Sequence, residues 1–167
     1  MTSNETLPES PEVQNKQRTT PTPGNRLAAT AVDALLDKKG TGITVIDVRA
    51  TSGVTDYFVL CTGEVDLQIK ALTDSVREKI REQHQEKPWH VEGYEHLQWV
   101  LMDYVDVVVH IFTQEKRAFY DLERLWGDAP IESVPDASET ANVNLLRDDA
   151  PMPTPPAPSE TDDQPLS

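Results

Sequence analysis

Three carboxylates, four histidines and one cysteine are the residues of this chain with the widest chemical reach. Asp103 and Asp106 lie three positions apart inside the run WVLMDYVDVVVHIF, and Asp47 closes the run ITVID. Carboxylates at strand ends can hold a pair of divalent ions for nucleotidyl transfer, usually as a DxD beside a Gly-Ser turn. Neither a DxD at these aspartates nor a Gly-Ser pair is present. The histidines are His84, His90, His96 and His110; none forms an HxH or HxxxH pair, so no metal or other cofactor is expected. Cys61 is the only cysteine; it sits in the apolar run YFVLCT, which suits a small core residue better than a nucleophile. Ser52, Thr55 and His110 lie in no nucleophile-elbow pattern, and no GxxxxGK[ST] or GxGxxG phosphate loop occurs. The residue chemistry points to recognition rather than reaction, and no catalytic residue is assigned.

The recognition candidates lie on one hairpin. Alternation along a strand places Trp99, Leu101 and Asp103 on one side, and Val108, His110 and Phe112 on one side of the next. With Tyr104-Val105 as a two-residue turn, the facing pairs are Asp103–Asp106, Leu101–Val108 and Trp99–His110. Two carboxylates directly opposite each other repel, so a longer loop would shift this register. A tryptophan beside paired acids suits an anchor docking on a basic protein. Spacing alone leaves Trp99 and His110 open between core and contact.

The elements that must position this hairpin follow from periodicity. Residues 26–38 and 66–83 carry apolar stripes at helical spacing, with Asp66 as N-cap of the second and Gly40 and Gly42 ending the first. Residues 43–48, 57–62, 89–93, 98–103 and 105–112 read as strands, the third near an edge and the last central. Thr113 caps a helix over 114–126 whose Phe119, Leu122 and Trp126 face inward; Gly127 and Pro130 stop it. The order α-β-β-α-β-β-β-α predicts an α/β fold, a single domain with helices packed on a mixed β-sheet.

Composition sets the limits of that domain. Of 13 prolines, four lie in residues 1–25 and seven in 131–167, and both ends are poor in aromatics. Residues 1–25 are therefore expected to be a disordered N-terminal segment, 26–130 the domain, and 131–167 an acidic Pro-rich disordered tail. The net charge of −14 opposes direct binding to DNA or RNA. There is no signal-like segment and no apolar run long enough for a membrane, so the expected location is cytoplasmic.

The runs DKKGTGITVIDVRATSGVTDYFVLCTG, HVEG, WVLMDYVDVVVHIF and RAFYDLERLWGDAP, in this order, resemble the Iojap (RsfS) family of ribosomal silencing factors over residues 27–130. The resemblance implies a nucleotidyltransferase-like fold without the catalytic motif. It also implies binding to the large ribosomal subunit through its fourteenth large-subunit protein, which blocks joining of the small subunit and represses translation. Homodimers are implied as well. Trp99 and Asp103 match the family's partner-facing residues, Leu101 lies between them, and Asp106 and His110 belong to the same motif. Thr55, Asp56 and Tyr57 match a further family signature. Two positions depart from the family: Val105 stands where glycine is usual, and Leu67 replaces a residue that is often Arg or polar. A residual nucleotidyltransferase or nucleotide-binding enzyme is the alternative reading.

Overall fold

The computed structural model describes residues 22–155. Its centre is a six-stranded mixed sheet in the order β3-β4-β5-β2-β1-β6. The strands are β1 (Thr41–Asp47), β2 (Tyr57–Gly63), β3 (His90–Glu92), β4 (Trp99–Asp103), β5 (Val107–Thr113) and β6 (Ile131–Ser133). Only the β2–β5 pair is parallel. β5 lies between β4 and β2, where its apolar residues on both faces can be covered.

Two long helices cover one face. Helix α1 (Gly24–Asp37) buries Leu27, Ala31, Val32 and Leu35, and α2 (Asp66–His84) buries Ile69, Leu72, Val76 and Ile80. These stripes meet Val45, Val59, Cys61, Val100, Met102, Val109 and Ile111 from the sheet. The ends of both helices differ from expectation. Lys39, at φ 63°, takes the left-handed turn after α1. Gly40 is required for a different reason, since a Cβ there would lie 2.3 Å from the Cys61 Sγ. Asp66 is the first helical residue of α2 and not its N-cap; Val65 holds that position and gives no side-chain cap. Gln68 instead accepts the Glu64 N–H and donates to the carbonyls of Lys38 and Lys39, tying the end of α1 to the start of α2.

The stretch 114–126 is broken rather than continuous. Thr113 caps it as expected, its hydroxyl accepting the Lys116 N–H at 3.2 Å. The chain then turns at Asp121, with φ 49°, and leaves two short helices, α3 (Gln114–Tyr120) and α4 (Leu122–Leu125). Asp tolerates this left-handed conformation better than most residues. The break sends Leu122 and Trp126 onto the second face of the sheet and leaves Phe119 74% exposed, contrary to its inward assignment.

The domain also runs past Pro130, where composition drew its boundary. β6 pairs antiparallel with β1, and Val134, Val143 and Leu146 join the core beside α1. The Glu132 carboxylate accepts the N–H groups of Asn144 and Leu145 at 2.9 and 3.0 Å, fixing a 3₁₀ turn at Asn144–Leu146. The strap continues to Asp148, which pairs with Arg26. The expectations for residues 1–21 and 156–167 lie outside the described residues.

Candidate functional site

The second face of the sheet is floored by Ile46, Leu60 and Phe112 and roofed only in part, by Leu122 and Trp126. Between them runs a line of aromatic rings. Trp99 stacks on Phe112 with centroids 5.1 Å apart and meets Tyr120 at 4.5 Å. Phe58 stands edge-on to His110 at 5.3 Å and to Trp126 at 5.2 Å. Trp99, Leu101, Asp103 and Val108 are each half-buried on this face.

The hairpin that carries these residues has a different register from the expected one. Trp99 pairs with Phe112, Leu101 with His110 and Asp103 with Val108. The shift is by two residues, an even number, so every side chain keeps its face. Tyr104 and Val107 close the loop, with the Tyr104 N–H donating to the Val107 carbonyl at 2.8 Å. Val105 and Asp106 form the turn itself. The Asp106 N–H donates to the Tyr104 carbonyl at 2.9 Å, closing a γ-turn on Val105 at φ 77°. That conformation is strained for a β-branched residue. Asp103 Oδ1 accepts the Val105 N–H at 2.8 Å and helps to hold it.

The expected Asp103–Asp106 pairing is therefore absent. Asp106 sits at the hairpin tip against the start of α1, its Cβ 3.1 Å from where a Cβ on Gly24 would stand. Its carbonyl accepts the N–H groups of Asp56 and Tyr57 at 2.9 and 3.1 Å, which fixes the start of β2. Burial, and then the charge of Asp106, raise the Asp56 carboxyl above its usual range.

His110 lies beneath the surface, 5% exposed. Its Nδ1 accepts the Trp99 indole N–H at 3.1 Å, which leaves the ring proton on Nε2. Nε2 is buried and has no hydrogen-bond partner among the described residues. Burial pushes the His110 pKa down to about 4, so the ring is neutral at pH 7 and serves to orient the indole.

Further residues complete the picture. Thr55 and Tyr57 are buried and Asp56 half-buried at the entry to β2. Arg49, which the sequence did not single out, stacks over the Tyr57 ring and grips Asp47 through two hydrogen bonds of 2.9 and 2.7 Å. Leu67 is exposed on the first turn of α2, far along the chain from the hairpin. Phe58 and Tyr120 also escaped the sequence reading. Phe58 has the parity of Leu60 and could have been found by alternation; Tyr120 depended on the unforeseen break at Asp121.

This arrangement offers shape and apolar area rather than reactive groups. The three aspartates that could have held metal ions do not converge. Asp47 is on β1 and Asp103 on β4, with β2 and β5 between them. Cys61 is buried and its thiol is pushed up to about 12, which leaves it inert.

Comparison with known proteins agrees with a binding role. The family model described as "Ribosomal silencing factor during starvation" matches residues 21–162. The ribosomal silencing factor RsfS of Bacillus subtilis is 40% identical over 107 residues, spanning 64% of this chain and 86% of that protein. The maize chloroplastic protein Iojap is 37% identical over 106 residues, 63% of this chain and 46% of its own length. A crystal structure of a Chromobacterium violaceum protein, 33% identical, superposes with a TM-score of 0.62 over 71% of this chain and 98% of the other. With the six-stranded mixed sheet and its half-open aromatic face, these matches establish that the chain belongs to the RsfS/Iojap family of ribosomal silencing factors, which are not enzymes.

Proposed function

We propose that this chain represses translation by docking on the large ribosomal subunit, at its fourteenth large-subunit protein, and sterically blocking the small subunit. The half-open aromatic face carries the reading. Trp99 is the anchor, held in one orientation by His110 and flanked by Leu101 and the Asp103 carboxylate. A rigid, partly desolvated tryptophan is the kind of residue that dominates interface energies, often by about 2 kcal/mol or more. The chain's net charge of −14 suits a basic partner. Asp106 contributes from the hairpin tip, and His110 acts through Trp99.

Three finer readings accompany this one. The fold is read as a nucleotidyltransferase-like shape that lacks its carboxylate constellation. No helix among the described residues is long and apolar enough to cross a membrane, and the proposed compartment is the cytoplasm. The short exposed edge strand β3 leaves backbone groups open for pairing, consistent with a homodimer.

Co-sedimentation of the full chain with purified large subunits tests the docking face. Leu101→Glu leaves the Trp99–His110 bond intact and is expected to abolish co-sedimentation while the thermal transition stays close to wild type. Trp99→Glu removes the anchor together with its ring contacts and is expected to lose both binding and some stability. A folded Leu101→Glu chain that still co-sediments like wild type would place the contact elsewhere.

A further inference from the structure

The roof of the aromatic face is short of apolar anchors. α3 and α4 bury none of their side chains fully, and Asp121 separates them at φ 49°. Apolar burial alone therefore leaves the orientation of these short helices loose. A polar side chain holds them instead. Arg117 is only 14% exposed, and its five N–H donors face five acceptors. Nη1 donates to the Gly42 carbonyl at 2.6 Å and to Thr62 Oγ1 at 3.0 Å. Nη2 donates to Thr44 Oγ1 at 3.1 Å and to Glu123 Oε2 at 2.6 Å, and Nε to Glu123 Oε1 at 3.5 Å. The guanidinium thus ties α3 to β1 and β2 and reaches across the break to α4. The sheet is shaped to receive it. β1 shifts register against β2 between Thr41 and Thr44, and Gly42 lies in that stretch; a Cβ on Gly42 would stand 3.0 Å from Arg117 Nη1.

Each member of this ion pair lies about one helical turn before an aromatic ring. Arg117 precedes Tyr120 by three residues and Glu123 precedes Trp126 by three, so each shares a helical face with its ring. Tyr120 meets Trp99 at 4.5 Å, and Trp126 meets Phe58 at 5.2 Å. A buried ion pair is a weak source of stability, because desolvation offsets its attraction, yet it is favourable only in a narrow geometry. An arginine fork narrows the geometry further, since a lysine in its place would donate from a single point.

We propose that Arg117 and Glu123 are a positioning pair for the docking face, a role that rests on the docking reading for its purpose but not for its geometry. Arg117 sets Tyr120 over Trp99. Glu123, held by Arg117, sets Trp126 on Phe58. Neither residue acts by touching the partner; both act through the rings.

Ring-to-ring nuclear Overhauser contacts in the full chain test the geometry without ribosomes, and co-sedimentation tests its purpose. Arg117→Lys keeps the charge and an aliphatic stem but removes the fork. It is expected to lose the Tyr120–Trp99 and Trp126–Phe58 contacts and to keep a cooperative thermal transition. Its co-sedimentation with large subunits should weaken about tenfold. Glu123→Ala leaves the bonds from Arg117 to Gly42, Thr44 and Thr62, so it should lose only the Trp126–Phe58 contact. A general loss of stability would not split the two rings in this way. Wild-type ring contacts in Arg117→Lys overturn the proposal. So does loss of the cooperative transition in both variants, because the pair would then hold the fold rather than the rings. If Leu101→Glu abolishes co-sedimentation while Arg117→Lys loses its ring contacts and still binds like wild type, the pose of the rings has no part in docking and the proposal falls. If Leu101→Glu itself still co-sediments, the docking reading is what fails, and the ring contacts alone decide whether Arg117 sets the pose.

Discussion

The two faces of the central sheet are built from alternate residues of the same strands, yet they have little in common. The face toward α1 and α2 is aliphatic, dry and fully covered: Val59, Val100, Val109 and Ile111 have no exposure at all. The opposite face is aromatic and covered only at its edge, and neighbours such as Leu101 and Val108 are half-buried. The contrast follows from the length of what lies on top. α2 runs for 19 residues and presents a continuous stripe, whereas α3 and α4 are 7 and 4 residues long and bury none of their own side chains fully. One face thus carries the fold's stability and the other is left available for recognition. Aromatic rings suit the second task because they bring large area with few rotamers to freeze.

The strongest challenge to this contrast is a charge placed on the dry face. Ile111→Asp buries a carboxylate among Val109, Val100 and the α1 and α2 stripes with no partner. The expected cost is at least about 4 kcal/mol, enough to unfold a domain of ordinary stability. Circular dichroism should show loss of the cooperative transition, in contrast to Leu101→Glu on the other face. A folded Ile111→Asp chain would mean that the two faces differ less than their burial implies.

A smaller effect separates the half-open face from a merely exposed one. His110 has a folded pKa of about 4 against an ordinary value of 6.5, because burial disfavours the charged ring. Between these values the unfolded chain binds a proton that the folded chain does not. Stability from this group is therefore complete above pH 6.5 and is lost as the pH falls toward 4. The loss is on the order of 2–3 kcal/mol at the acid end of the window. His110→Phe removes the titration, so urea unfolding at several pH values should give a shallower slope for the variant. Equal slopes would show that water reaches His110 and that the face is wetter than its packing suggests.

How much of this was legible depends on the range of the cause. The stripes of α1 and α2 are written in local spacing and could be read directly. The partition of the hairpin into faces survived a wrong register because the error was an even number of residues. The Trp99–His110 contact was expected as a directly facing pair, and the true register makes it a diagonal one instead. The break at Asp121 has a tertiary cause, the need for Trp126 to reach Phe58, and nothing in the helical period of 114–126 signals it. The strap after Pro130 was hidden by its composition. Val134, Val143 and Leu146 are too widely spaced to form a period, and their burial depends on α1 being there to receive them. Lys39 in a left-handed turn was masked by the adjacent Gly40, whose smallness serves its approach to Cys61.

The smallest expected effect concerns the tip of the hairpin, which belongs to the sparsely covered side of the contrast. Val105 is 56% exposed at φ 77°, so its side chain gains little from packing while its backbone is strained. A left-handed conformation costs an L-residue roughly 1–2 kcal/mol, more for a β-branched one. Glycine adopts it freely but gives up to about 1 kcal/mol back in unfolded-state entropy. Val105→Gly should therefore stabilise the domain by about 1 kcal/mol, read as a higher urea midpoint at unchanged slope. Asp103 would keep its bond to the residue 105 N–H, which glycine also possesses, so co-sedimentation with large subunits should be unaltered. A lower midpoint would show that the exposed valine is packed in solution, and the tip would then have to be moved from the open side of the comparison to the covered one.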